Sequence, residues 1–539
     1  MRSARALAGA AAGLLAGLAL IAAVSTPRQQ QPASAGADDE GRRVYDKWCA
    51  GCHGDQGKGD GDGARHLFPK PRDFTGALYQ VRTTATGEVP TDADIRHVVD
   101  EGMPGTSMPA WKNTLSSGER EAVVRYVKSF SNAFANAPTP LEFGGDPGGG
   151  QAAIDSGRAL YRRIECWKCH GDAGRGDGRS APTLKDDFGN PIRAADLTQN
   201  WMFNGGPEAD DIYRVLRTGL DGTPMPSFSD LIDGNIVSDG DLWRIAAYVR
   251  SLSPERAPRV RDVVNAARIE GALPSGPDDS TWTRADRYYF PLVGQVILRP
   301  RNFAPTVSGV WVQALHNGEQ LALRVTWHDP SQSPNSSWNI WRGRMARAMT
   351  SDDSAAADTT SPLADRLAVQ FPARLSEGME RPYFLMGSAE QPVYLWQWES
   401  EPRAAAEGLA RGVGRFEPLA GAPDTLTSAA IYDRGEWRVQ FVRALATADS
   451  VNQLQFVPGR AIPMAIFAWD GSNGEAGTLM SVASWVNISL GEPTRAGTYL
   501  WPLLAMLSTG GLGLVVIVRA QRAAATSKQP SDPAGSEAV

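Results

Sequence analysis

Apolar positions recur with different periods in different parts of the chain. Before residue 255 they keep helical spacing: Val123, Val124 and Val127 fall on one face, as do Ile245, Tyr248 and Val249. From about residue 280 the period shortens to two. Runs at 307–315, 320–327, 367–371, 394–398, 437–445, 465–469 and 482–490 are rich in Val, Trp, Tyr and Phe, with Gly, Pro, Asn and Asp between them. They predict antiparallel strands of one all-β sandwich or barrel, with His316-Asn317-Gly318 as a hairpin turn. Two stretches are apolar throughout. Residues 6–24 follow Arg2 and Arg5, and residues 499–518 form an uncharged run of 20, long enough to span a bilayer as a helix.

The two apolar runs frame the rest. The first reads as an export signal, either cleaved near Ala33-Ser34-Ala35 or retained as an anchor. The second carries Tyr499 and Trp501 at its start and is followed by Arg519, Arg522 and Lys528, so the C-terminus is expected in the cytoplasm and the bulk in the periplasm of a bacterial inner membrane. The segment 523–539, rich in Ser, Ala and Pro, reads as disordered. A net charge of -6 with no Lys/Arg run makes nucleic acid an unsuitable partner.

The helical part repeats itself. Gly41-Arg42-Arg43-Val44-Tyr45 leads into Cys49-Ala50-Gly51-Cys52-His53, and Gly157-Arg158-Ala159-Leu160-Tyr161 leads into Cys166-Trp167-Lys168-Cys169-His170. Asp73-Phe74-Thr75 is echoed by Asp196-Leu197-Thr198, and 102–109 by 219–226. These are the only four cysteines, and each Cys-x-x-Cys-His unit is the attachment motif for a c-type haem, with the histidine as proximal iron ligand. Zinc would need further ligands, and a thioredoxin-like site needs no histidine. Met108 and Met225 each lie 59 residues beyond the first cysteine of their module, whereas Met103 aligns with Leu220. The expected iron ligands are therefore His53 with Met108 and His170 with Met225. Both modules resemble class I cytochrome c domains, over residues 40–132 and 155–253, which implies two all-α domains.

The third region, 280–491, carries Phe384-Leu385-Met386-Gly387, Pro392-Val393-Tyr394-Leu395-Trp396-Gln397-Trp398, Phe467-Ala468-Trp469-Asp470-Gly471 and Ser484-Trp485. On these residues it resembles the haem-binding gamma subunit of ethylbenzene dehydrogenase and of related selenate, chlorate and dimethyl sulfide enzymes. The resemblance implies a β-sandwich holding one non-covalent b-type haem between a methionine and a lysine. Met386 falls on the methionine. The lysine position, five before Trp485, holds Met480, and no lysine occurs between Lys185 and Lys528. Three readings stay open: haem between Met386 and Met480, haem on Met386 with another ligand such as His328 or Met464, or a scaffold without haem.

The expected organisation is a signal or anchor (1–35), cytochrome c domains (40–132 and 155–253) joined by a linker (133–154), a second linker (254–279), the sandwich (280–491), a transmembrane helix (499–518) and a cytoplasmic tail (519–539). The expected function is a membrane-anchored multihaem cytochrome passing electrons between a respiratory enzyme and a membrane or periplasmic carrier. The third region's resemblance suggests a molybdenum oxidoreductase with an iron-sulfur subunit as partner. A di-haem peroxidase or dehydrogenase and a haem-linked binding or sensor module are the alternatives.

Overall fold

The computed structural model describes residues 35–349, 363–375, 378, 380–419, 426–491 and 496–526. The expected export segment lies outside these, apart from Ala35, which opens the first helix. The helical part has two similar modules. In the first, helices Ala35–Trp48, Asp92–Glu101 and Ser117–Lys128 pack together; in the second, Gly150–Arg163, Ala209–Thr218 and Asp239–Ser251 do so. The second and third helices of the first module and the last of the second begin with capping boxes, Thr91 with Asp94, Ser116 with Glu119 and Ser238 with Asp241, which satisfy backbone N–H groups at the first turn. The valines expected on one face, Val123, Val124 and Val127, are buried, as are Ile245, Tyr248 and Val249.

A glycine sets the crossing of the first and last helices in each module. A Cβ on Gly41 would lie 2.4 Å from the Ala122 carbonyl oxygen, and one on Gly157 would lie 1.9 Å from that of Arg244. Only a residue without a side chain lets the two backbones approach that closely. The tyrosine four residues on is buried behind the crossing and donates its hydroxyl to a backbone carbonyl, Tyr45 to Gly54 at 2.7 Å and Tyr161 to Gly171 at 2.6 Å.

The sheet region holds β1 (Val263–Arg268), β2 (Tyr288–Pro291), β3 (Val293–Gly294), β4 (Gly309–His316), β5 (Gln320–His328), β6 (Arg366–Pro372), β7 (Val393–Glu399), β8 (Ala404–Ala410), β9 (Phe416–Pro418), β10 (Leu426–Tyr432), β11 (Glu436–Ala444), β12 (Ala461–Trp469), β13 (Ser481–Val482) and β14 (Val486–Leu490). Their main path runs β10-β11-β5-β4-β1-β14-β12-β6-β7-β8-β9. The two ends of the path face each other across a tryptophan core: Trp437 of β11 meets Trp398 of β7 edge-on at 4.9 Å, and Trp327 of β5 meets Trp398 at 6.1 Å. The β4–β5 hairpin turns where His316-Asn317-Gly318 predicts it, with Gly318 at φ +96° and Asn317 Oδ1 accepting the Gln320 amide at 2.8 Å.

Several sequence expectations need correction. β1 lies inside the stretch read as a linker and pairs in parallel with both β14 and β4, so the ladder is not wholly antiparallel. A strand that arrives from outside the meander needs no hairpin, which leaves parallel pairing open to it. The run 482–490 is broken between β13 and β14, where the Ala483 amide donates to the Ile466 carbonyl at 2.9 Å. Helix Asn339–Ala348 interrupts the strands and buries Trp341 and Met345 against Ala181 and Ala304. The apolar C-terminal helix spans Ala496–Thr526, past the expected end at 518 and through Arg519 and Arg522, so residues 523–526 are helical; the remainder of the tail lies outside the described residues.

The second module rests on the sheet region. Arg175 donates to the carbonyls of Asp433 and Arg434 at 3.2 and 3.1 Å and pairs with Glu436 at 3.2 Å. Arg193 donates to Thr306 Oγ1 at 2.9 Å and Asn473 Oδ1 at 3.1 Å.

Candidate functional site

Each Cys-x-x-Cys-His unit ends a short helical turn, Ala50–His53 or Trp167–His170, closed by a glycine of positive φ, Gly54 or Gly171 at +78°. All four cysteine side chains are half-buried and no disulfide joins them; burial pushes the Cys49 and Cys166 thiols up to about 12. Burial likewise lowers the pKa of His53 and His170, which favours neutral imidazole.

His53 Nδ1 lies 3.0 Å from the Arg72 carbonyl, and His170 Nδ1 lies 3.0 Å from that of Ala195. A carbonyl only accepts, so Nδ1 carries the proton and Nε2 keeps its lone pair for a metal. The repeated Asp-x-Thr holds that carbonyl in place. Asp73 Oδ1 accepts the Thr75 amide and hydroxyl at 2.8 and 2.6 Å, and Asp196 Oδ1 accepts those of Thr198 at 2.9 and 2.6 Å. Sequence reasoning saw this echo without seeing its purpose. A backbone carbonyl has no residue signature, and only the turn that fixes it leaves one. Phe74 also stacks on the His53 ring, with centroids 4.5 Å apart.

The two methionine loops close in the same way. The Met103 amide donates to the Met108 carbonyl at 3.1 Å, and that of Leu220 to Met225 at 3.0 Å. Thr106 Oγ1 donates to the Met103 carbonyl at 2.7 Å and accepts the Met108 amide at 3.1 Å; Thr223 repeats this at 2.7 and 3.2 Å. Gly102 (φ +72°) and Gly219 (φ +67°) start the loops. Met225 packs on the same apolar cluster as Cys166 and Trp167. An imidazole freed at Nε2 and a thioether loop, present twice with matching bonds, fit the donor set of a c-type haem iron.

The modules meet beside the second loop. Arg82 Nη2, from the first, donates to the Thr218 carbonyl and pairs with Asp221 at 2.7 Å, and the Gly87 amide donates to Asp221 Oδ2 at 2.9 Å. Asp221 belongs to the Met225 loop and has no acidic counterpart in the first module, so the repeat could not single it out.

In the sheet region Met386 and Met480 are both buried and lie in one apolar cluster with Leu395, Phe467, Trp469 and Val482. Met386 sits at φ +58°, unusual for a side chain of its size, and Gly387 follows at +70°. The Met386 amide donates to Gln370 Oε1 at 3.0 Å and its carbonyl accepts the Gly412 amide at 2.7 Å, which holds the turn. Residues held off their preferred backbone cluster at ligand sites. The other two candidates lie elsewhere. His328 bonds through Nε2 to the Arg175 carbonyl of the second module, and Met464 is buried in the main core. Two thioethers in one buried cluster would offer a soft ligand pair to a haem iron without a lysine.

Residues 36–127 and 152–249 match the family described as Cytochrome C oxidase, cbb3-type, subunit III, and residues 279–417 match Ethylbenzene dehydrogenase. The chain therefore carries two cytochrome c domains followed by an ethylbenzene dehydrogenase gamma-like domain. Among its relatives, a Haloferax mediterranei protein assigned as a respiratory nitrate reductase heme subunit is 26% identical over 48% of this chain and 86% of its own length. Chlorate reductase subunit gamma of Ideonella dechloratans is 24% identical over 42% of this chain and 83% of its own. The cbb3-type oxidase subunit CcoP of an Azospirillum species is 29% identical over 39% of this chain, which spans 61% of that relative.

Proposed function

We propose that the protein is a membrane-tethered electron-transfer subunit carrying haem c on Cys49 and Cys52 with His53 and Met108 as iron ligands, and on Cys166 and Cys169 with His170 and Met225. Met386 and Met480 of the β-sandwich would hold a third, non-covalent haem b. Haem iron supplies reversible one-electron chemistry when bound. The residues of the chain do the rest: the cysteines fix the porphyrin, the carbonyls of Arg72 and Ala195 orient the imidazoles, and the methionines favour the reduced iron and raise the potential. The observation that carries the reading is the duplicated pair of Nδ1–carbonyl bonds and methionine loops. With a histidine and a methionine offered to each iron, no position would stay open for peroxide, which favours transfer over peroxidase chemistry.

The helix Tyr499–Ala525, 27 residues long and exposed along its length, supplies the membrane tether. The domains before it would stand in the periplasm and the C-terminus in the cytoplasm. The names of the nitrate and chlorate reductase relatives support a respiratory reductase as redox partner, and the sequence resemblance of the third region suggests that it is a molybdenum enzyme with an iron-sulfur subunit. Pyridine haemochrome analysis of protein from a host competent in cytochrome maturation tests the haem count. It should give two covalent haems per chain and one more extractable into acid acetone. Free thiols at all four cysteines would end the reading.

A further inference from the structure

Three strand ends deliver carboxylates to one point. Asp329 follows β5, Asp365 precedes β6 and Asp470 follows β12; one oxygen from each lies within 4.8 Å of the others, and all three residues are at most 1% exposed. Buried Arg193 attracts Asp470, Glu475 and Asp329 through space, but its hydrogen bonds go to the Ala304 and Pro305 carbonyls, Thr306 Oγ1 and Asn473 Oδ1 rather than to these carboxylates. Glu475, also buried, adds a further acid beside Asp470.

Asp365 is hydrogen-bonded on both oxygens, by the Ser333 amide at 2.7 Å, Trp437 Nε1 at 3.0 Å and the Gly471 amide at 3.0 Å. Asp470 Oδ1 caps the following turn through the amides of Ser472 and Asn473. Asp329 is different. Its Oδ1 accepts the Ser331 amide at 3.1 Å, while its Oδ2 is buried without a hydrogen bond of ordinary geometry among the described residues, the Trp327 indole being a further polar neighbour of the carboxylate. The hydroxyls of Ser331 and Ser333, both 2% exposed, are likewise buried without partners. Ser333 stands between two of the acids: its amide bonds Asp365, and its Cβ is 2.9 Å from where a Cβ on Gly471, next to Asp470, would lie. Burying several carboxylates and leaving oxygen atoms unsatisfied among them is unfavourable unless something positive neutralises them.

We infer that Asp329, Asp365 and Asp470, with Ser331 and Ser333 beside them, form a binding site for a calcium ion. The ligand set is all oxygen, which selects a hard cation. The three carboxylate oxygens lie within 4.8 Å of one another, close enough to share one cation. Calcium takes about six to eight oxygen ligands in flexible geometry, which suits carboxylates and hydroxyls on separate strand ends better than the near-ideal octahedron that magnesium demands. The site also has a structural place. His328, adjacent to Asp329, bonds Arg175 of the second cytochrome module, and Gly435, whose carbonyl accepts the Asp329 amide at 2.9 Å, packs against Arg175 and Asp177. A bound ion would pin the strand ends on which that module docks.

The test uses the full-length holoprotein, stripped with EDTA and titrated with calcium chloride, magnesium chloride or terbium chloride. Calcium at about a hundredfold excess over its Kd should raise Tm by roughly 5–10 °C. Terbium should give luminescence sensitised by Trp437, whose indole bonds Asp365, and calcium should quench it by displacement. Asp329→Asn should abolish both responses while keeping two covalent haems. Magnesium acting as well as calcium would overturn the calcium assignment. No Tm shift and no sensitised emission, with Asp329→Asn as stable as the parent or more so, would overturn the site and leave the acids neutralised by protons.

Discussion

Arg82 and Asp221 form an ion pair at 2.7 Å between the two cytochrome modules, with the guanidinium fully removed from solvent and the carboxylate 10% exposed. Arg82 also donates to the Thr218 carbonyl and Asp221 accepts the Gly87 amide, so the first module grips the root of the Met225 loop. Removing one partner of such a pair strands the other. Arg82→Met should therefore destabilise the packing of the modules by about 3–5 kcal/mol, and Arg82→Met with Asp221→Leu should recover much of that. Denaturant unfolding followed at the Soret band measures both. Equal losses in the Arg82→Met and double variants would show that the stranded Asp221 carboxylate is not the source of the loss.

The glycines at the helix crossings give a second prediction. Gly157→Ala places a methyl group 1.9 Å from the Arg244 carbonyl oxygen, so the helices must separate, at a cost of about 1–3 kcal/mol. Gly118→Ala, on an exposed helix position where a Cβ meets nothing within 4 Å, is the control and should be neutral or stabilising. Thermal unfolding of the holoprotein should separate the two variants by several degrees; coincident curves would mean that the crossing tolerates a side chain.

Much of this architecture was legible because the chain states it twice. The glycine, the cysteines, the histidine and the methionine recur at matching spacing, and the core faces of the helices carry apolar residues at helical intervals. What the sequence could not show were partners that carry no side-chain signature, such as the Arg72 and Ala195 carbonyls that set the histidine tautomers. β1 escaped because Val263–Arg268 is short and joins by parallel pairing to strands far along the chain. β8 and β10 escaped because Ala-rich and Thr/Ser-rich segments read as loops when strand burial is incomplete. Met386 and Met480 were reached through resemblance alone. Nothing in their local sequence says that they share an apolar cluster, which depends on the packing of strands almost a hundred residues apart.

For the proposed third haem the prediction separates ligation from packing. Met386→Ala and Met480→Ala should each abolish or sharply reduce the acid-acetone-extractable haem while both covalent haems remain. Met464→Ala, equally buried but in the main core, should cost a similar 2–5 kcal/mol of stability and leave the extractable haem in place. Loss of haem in all three variants, or in none, would contradict the assignment to the two methionines.

His316 supplies a pH dependence that is independent of the haem sites. It is buried on β4, Nε2 is 2.8 Å from the Gly491 carbonyl, and Nδ1 has no hydrogen-bond partner among the described residues. Burial lowers its pKa, and Arg268, opposite it on β1, lowers it further, while the Gly491 carbonyl opposes the shift. The unfolded chain therefore binds a proton at a pH where the folded chain does not. Stability from this group is complete above the ordinary value of about 6.5 and declines as the pH falls below it, by at most about 1.4 kcal/mol per pH unit until the folded group protonates. Tryptophan-detected unfolding of the sheet region between pH 7.5 and 5 should show that decline, and His316→Gln should flatten it. A slope unchanged in the variant would assign the acid sensitivity to other groups.

Met225→His tests the second iron site most directly, because it replaces a thioether by an imidazole within a loop whose closure depends on backbone and Thr223 bonds rather than on the methionine side chain. Imidazole stabilises the oxidised iron relative to a thioether, so the potential of one haem should fall by on the order of 0.1 V or more while the other holds its value. Half of the weak near-infrared methionine-to-iron absorbance should disappear with it, and Met108→His should remove the other half. Met103→Ala, in the neighbouring position that aligns with Leu220, should leave both potentials and the band intact. A potential that moves with Met103 and not with Met108 would transfer the ligand role to Met103 and undo the alignment on which both assignments rest.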